Sequence, residues 1–276
     1  MDANELITRY SQGERDFAGV ELVDADLSGA DLSEIILDRA FLSFATLSKT
    51  ILTRASLKKV FLYGADLSYA KLGQADISEA NLTKANLTGA YLVKANLIGT
   101  SLSGAILVGV NLRESQLSGV NFCGAALKGI NLRGANLKNA NLAWANLTGA
   151  KLSGANLTGA RFTGTQLRQV YMNGVNLQGV DLDGVDFSDS KLSGVNFSHA
   201  TLTVANFSRS YLRAANFVSA NLRAANLRDA SLRRADLRDA DLSETDLQGA
   251  DLSEAALVGT NLDEAILCDR QVAFFS

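Results

Sequence analysis

The chain has 276 residues, including 43 Leu, 23 Gly and no Pro, and carries a formal net charge of −3. Average usage would place roughly a dozen prolines in this length, and a hydrophobic content of 47% excludes a disordered chain. No apolar run approaches the ~20 residues that cross a bilayer, and one His and two Cys leave little for a metal cage, a disulfide framework or a resident cofactor.

No basic-then-apolar leader opens the sequence, which points to the cytoplasm. Residues 2–13 read as a helix. Asp2 is the expected N-cap, with Glu5 three later, and Gly13 suits the stop. Leu6, Ile7 and Tyr10 should form one apolar stripe, and the segment should lie as a lid over whatever follows.

From Phe17 to Leu267 every fifth residue forms one column of 51 positions, 42 of them Leu. The nine others are Phe17, Ile77, Phe122, Phe162, Met172, Phe187, Phe197, Phe207 and Phe217. Two residues before each centre, the 50 positions from Val20 to Ala265 hold 31 Ala, 9 Val, 5 Thr, 3 Ser and 2 Ile. On a helix a five-residue step rotates by ~140° and would spread the leucines around the surface. On a flat strand an odd step would alternate their faces. One shared interior requires the chain to turn a corner every five residues, with coils stacked at ~4.8 Å. Gly, Ser, Thr, Asn, Asp and Lys predominate at the two positions after each Leu, as a turn demands. Missing Pro then reflects N–H groups committed to the neighbouring coil.

Stretches such as Ala85-Asn86-Leu87-Thr88-Gly89 and Ala235-Asp236-Leu237-Arg238-Asp239 resemble A(D/N)LXX, the signature of the pentapeptide repeat family. Full frames cover residues 15–269. The opening, Asp2-Ala3-Asn4-Glu5-Leu6 through Arg15-Asp16-Phe17, is similar to the starts of cyanobacterial members. The resemblance implies an all-β, right-handed, four-sided (quadrilateral) parallel β-helix with 20 residues per coil. Fifty-one sides make about 13 coils, a rod on the order of 60 Å long. The expected organisation is a capping helix at 1–14, the β-helix at 15–269 and a tail at 270–276 that caps the far end or meets another subunit.

Candidate residues follow in chain order. Phe41 and Phe61 occupy the outward Asp/Asn position, one coil apart, with Phe44 and Tyr63 on the same side. Exposed aromatic clusters mark partner sites; cover by the N-terminal helix or a loop is the alternative. A second outward column reads Ile51, Lys71, Tyr91, Asn111, Asn131, Lys151, Tyr171, Lys191, Tyr211, whereas the column assigned to the opposite face, Asp76 to Asp236, keeps mostly Asn and Asp. Lys151, Tyr171, Lys191 and Tyr211 are thus partner candidates too, or simply cover the sheet. Val170, Val175, Val180, Val185 and Val195 sit beside Phe187, Phe197, Phe207 and Phe217, which should form two opposed interior columns in a locally repacked section. His199 reads as a solvated turn residue. Cys123 and Cys268 lie about seven coils apart, too far to bridge.

Charge is uneven: residues 1–40 and 241–276 each sum to −7, and 41–240 to +11. Arg209, Arg213, Arg223, Arg228, Arg233, Arg234 and Arg238 are interleaved with Asp229, Asp236 and Asp239, as on a mixed, solvated surface. No catalytic constellation appears. The expected function is a non-catalytic protein-interaction scaffold or regulator with an unidentified protein partner, as a monomer or weak homodimer, without membrane or nucleic acid. Cyanobacterial family members include one that influences heterocyst differentiation. The resemblance also raises a DNA mimic, as in members that bind DNA gyrase, but the positive body departs from that pattern. Nucleic-acid binding through the Arg-rich coils is a third, weaker reading.

Overall fold

The computed structural model describes residues 1–267. Helix α1, Ala3–Ser11, opens the chain. The Glu5 N–H donates to Asp2 Oδ1 at 2.8 Å, and Gly13 takes φ +100° just past the C-cap Gln12. Leu6 is fully buried, Tyr10 is half-buried and its hydroxyl donates to Ser33 O at 2.8 Å, but Ile7 is exposed. The expected three-residue stripe is therefore Leu6 and Tyr10 alone. Four residues separate these two on one helix face, while Ile7 is turned ~100° from Leu6.

The other described residues form a parallel β-helix. Bridges run from Asp16↔Ile36 to Asp246↔Ile266, pairing residues twenty apart, so each coil takes four five-residue sides. In each side the Leu points inward, two corner residues follow, and the small residue points inward again. The second corner residue has positive φ at every corner from Gly19 to Glu264, and 29 of these residues are not Gly.

The main chain accounts for the sequence motif. Leu82 N–H donates up to Ser101 O (2.8 Å), Lys84 N–H to Ser103 O (3.0 Å), Asn81 N–H down to Val60 O (2.9 Å), and Ala85 N–H closes the turn on Leu82 O (3.0 Å). The fifth N–H, on Thr83, donates to Asn81 Oδ1 at 3.1 Å. The outward Asp or Asn thus satisfies the one N–H that ladder and turn leave over, which is why the motif demands it. All five N–H groups of such a side are used, and Pro has no free position. Interior Thr and Ser hydroxyls bond to carbonyls as well, as in Thr50 to Leu27 O and Thr100 to Ile77 O.

The core is continuous along the axis. Phe187 stacks on Phe207 at 5.1 Å and Phe197 on Phe217 at 5.0 Å, and the two columns meet edge-on across the interior. Columns ten residues apart therefore face each other through the core, and columns five apart are neighbours. This corrects one expectation: the Asn/Asp column at 76–236 lies on the side adjacent to the Lys/Tyr column, one five-residue step away.

Candidate interaction site

Phe41 and Phe61 stack face to face, centroids 4.9 Å apart and planes 2° from parallel. They are 42% and 40% exposed, so among the described residues neither α1 nor a loop covers them. Phe44 stands edge-on to Tyr63 at 5.4 Å. Its ring lies flat on the corner of the next coil: a Cβ on Gly64 would come within 2.8 Å of Phe44 Cε1. Lys84 Nζ lies 5.9 Å from the Tyr63 ring. These four aromatics, as two contacting pairs on neighbouring coils, make up the candidate patch. It has a local cost, because Phe cannot accept the N–H that an outward Asn or Asp takes, and Ser43 and Tyr63 lack that bond.

Lys151, Tyr171, Lys191 and Tyr211 form a continuous column bridged in register, and Lys191 Nζ sits 4.5 Å above the Tyr211 ring. This column is ten residues removed from that of Phe41 and Phe61, hence on the opposite side, and several coils along. The structure does not bring the two sets together.

Among the exposed side chains not singled out in the sequence are Tyr69, Trp144 and Val204. Tyr69 covers Gly89, and Trp144 covers Gly164, as Phe44 covers Gly64. A large residue at a corner followed by Gly twenty positions later is the signal that would have found the two aromatics.

The Arg-rich coils are neutralised by their neighbours. Arg209 pairs with Asp189, Arg223 with Glu244, Arg228 with Asp246, Arg233 and Arg234 with Glu254, and Arg238 with Asp236. The Arg209 guanidinium holds the Asp189 carboxyl below the usual carboxylate range, and Arg238 does the same for Asp236. Few free cations remain there for phosphates, since of the seven arginines only Arg213 lacks a carboxylate partner among the described residues. His199 is a solvent-exposed corner residue at φ 58°, and Cys123 is a free, partly buried thiol. Cys268 and the 270–276 tail lie outside the described residues. Among the described residues no group of three or more His, Cys, Asp or Glu could hold a metal ion, and no helix is long and apolar enough to cross a membrane.

Comparison with known proteins places these features in context. Residues 16–54, 52–83, 75–115, 115–154 and 150–189 match the family described as Pentapeptide repeats, in 8 copies, and residues 180–267 match the Pentapeptide repeat region. No curated protein matches the chain. Among solved structures, it is similar to HetL, a pentapeptide repeat protein involved in heterocyst differentiation regulation from the cyanobacterium Nostoc sp. strain PCC 7120. Identity is 32% over 94% of this chain and 96% of that one, with a TM-score of 0.32. A pentapeptide repeat protein from the Arabidopsis thaliana thylakoid lumen is 34% identical over 34% of this chain and 65% of its own, TM-score 0.33. QnrB1, a plasmid-mediated fluoroquinolone resistance protein, is 16% identical over 94% of each chain, TM-score 0.44.

Proposed function

The chain belongs to the pentapeptide repeat family, and from that premise we propose that it is a non-catalytic, cytoplasmic interaction scaffold or regulator. In this reading it is a right-handed rod of about 13 coils, monomeric or weakly dimeric, that presents the Phe41, Phe44, Phe61 and Tyr63 patch to a protein partner. The setting proposed is regulation of cyanobacterial cell differentiation, as for HetL. The observation that carries the reading is the stacked Phe41–Phe61 pair, two aromatics exposed by about two-fifths at positions where the fold prefers Asp or Asn. A side chain that gives up a backbone hydrogen bond and gains little burial is supported by a use outside the fold. Lys151, Tyr171, Lys191 and Tyr211 are proposed as a secondary contact face.

Replacing Phe41 and Phe61 with Asn tests this. The substitution restores the acceptors for Ser43 and Tyr63, so the fold should survive, and capture from the source organism should lose a partner that the wild-type chain retains. If every partner is retained, the patch is not the binding surface. A DNA-mimic reading gains no support, because residues 41–240 sum to +11.

A further inference from the structure

One junction between coils differs from every other among the described residues. Between residues 151–170 and 171–190 the ladder is intact along a single side: Leu152 N–H reaches Tyr171 O (2.7 Å) and Gln169 N–H reaches Ser188 O (2.9 Å). Around the rest of the coil the N–H groups of Gly154, Leu157, Gly159, Phe162 and Gly164 donate to nothing, and that of Leu167 is only loosely paired across the Gln166↔Asp186 bridge. The return bonds from Asn176 and Asp181 to the coil below are also missing, and that from Asp186 is loosened. The six matching donors one coil earlier, Gly134 to Leu147, all pair at 2.8 to 3.2 Å, and those one coil later, Gly174 to Phe187, at 2.7 to 3.0 Å.

The bridge pattern and several side-chain features coincide with the gap. The bridges Asn156↔Asn176 and Arg161↔Asp181 are absent, while Lys151↔Tyr171 and Gln166↔Asp186 flank them. The side-chain amide ladder runs from Asn156 to Asn136 and from Asn196 to Asn176, but not from Asn176 to Asn156. A cavity of about 370 Å³ opens between Arg161 and Asp181. Ala155 and Ala160 are 7% and 8% exposed there, against 1% and 0% for Ala135 and Ala140. Leu157 and Phe162, directly behind, stay at 1% and 2%. The fissure therefore admits water to the unpaired main-chain groups but is too narrow for an inserted strand.

The interior supplies a cause. Val170, Val175, Val180 and Val185 fill all four small positions of one coil, the only four consecutive Val in that column. They stack on Ala150, Ala155, Ala160 and Thr165, and Phe187 and Phe197 begin the aromatic columns just above. Added methyl groups in a close-packed interior force neighbours apart, and Val180 is pushed partly into solvent.

We propose that this junction is a hydrated hinge. Its axis is the bonded Lys151–Tyr171 side, its mouth is the opposite Arg161–Asp181 side, and the stacks below and above move as two bodies. In a solenoid, stability is the sum of coil terms and nearest-neighbour junctions, so the junction with seven of these bonds lost and two loosened opens first.

Hydrogen exchange on the wild-type chain is the primary test. Amides at 154–167 should exchange at least about tenfold faster than those at 134–147 and 174–187, and equal protection overturns the proposal. The triple variant Val175→Ala, Val180→Ala, Val185→Ala should slow the same amides; a folded variant that leaves them as fast overturns the Val-driven opening. In a Cys123→Ser, Cys268→Ser background, spin labels on Arg161→Cys and Asp181→Cys should give a broader distance distribution than labels on Asn121→Cys and Asn141→Cys, the same column across an intact junction. Equal widths would remove the hinge. If the triple variant does not fold, the wild-type exchange and the label pair still decide.

Discussion

The only Trp in the chain gives a direct measure of what the corners contribute. Trp144 is 67% exposed, yet its indole lies flat on Gly164: a Cβ there would come within 2.3 Å of Trp144 Cε3. Gly164→Ala therefore has two costs. Ala must adopt φ +64°, which costs an L-residue about 1–2 kcal/mol, offset by about 0.4–1 kcal/mol from the less flexible unfolded chain. The indole must also lift off. Roughly a third of a surface of about 150–250 Å² is buried, worth about 1.5–2 kcal/mol at ~25 cal/mol per Å². The sum is about 2–3 kcal/mol. Gly119 is the control: it has φ +68°, and nothing lies within 4 Å of an added Cβ, so Gly119→Ala should cost only about 0.5–1 kcal/mol. Denaturant titration followed by circular dichroism measures both. Trp emission should shift to the red in Gly164→Ala alone. Equal destabilisation of the two variants, or unchanged emission, refutes the stacking argument.

Three further outcomes follow from the hydrogen bonds. Asp2→Ala removes the acceptor for Glu5 N–H and should cost about 1 kcal/mol, read as faster exchange in α1 with the distant coils unchanged. Thr100→Val removes a buried hydroxyl bonded to Ile77 O at 2.7 Å, but that carbonyl keeps the Ala80 N–H at 3.3 Å; the loss in thermal or chemical stability should be about 1 kcal/mol, not the full price of an orphaned acceptor. Asp241 and Asp251 are held below their ordinary values by the hydroxyls and then the N–H groups of Ser243 and Ser253. A carboxyl with a lowered folded pKa stabilises fully above the unfolded value near ~3.9, and that share is lost as pH falls through the folded pKa. Denaturation at pH 5 and below pH 3 should show the drop. Asp241→Asn, which still accepts from Ser243 N–H but cannot titrate, should flatten it.

The period of five, the inward Leu and the small inward partner were legible because side-chain direction and turn geometry leave a five-residue repeat no other shared interior. The Asp2–Glu5 cap was legible for the same local reason. The role of the outward Asp and Asn was not: that Asn81 accepts the Thr83 N–H emerges only once the other four N–H groups of the side are assigned. The exposed Ile7 needed the docking angle of α1. The pairing of Arg209 with Asp189 and Arg228 with Gln248 could have been read by looking twenty residues along, since that step places residues in one column. The open junction could not. Its Val ring is plain in the sequence, but whether the surplus methyl groups are absorbed by compression or by separation is decided by sub-ångström fit.

The aromatic patch and the open junction are departures of opposite kinds from one rule. The rule is that a side with an outward Asp or Asn satisfies five N–H groups, and that every side buries two side chains. Phe41 and Phe61 break its outer half, losing an acceptor while the core beneath, Leu42 and Leu62, stays fully packed. The coil at 170–185 breaks its inner half: the outward Asn176 and Asp181 keep their bonds to Gln178 and Asp183 N–H, but the ladder beneath opens. An outer departure leaves stability nearly untouched and changes what the surface can hold. An inner one leaves the surface chemistry nearly untouched and changes how the rod moves. The two can therefore be separated by mutation, because the Phe41→Asn, Phe61→Asn pair lies several coils from the junction and shares no partner with it. Distant sites without shared partners act additively. Combining the Asn pair with the Val→Ala triple variant should alter binding and exchange independently, and any coupling between the two readouts would show that the patch engages its partner across the hinge.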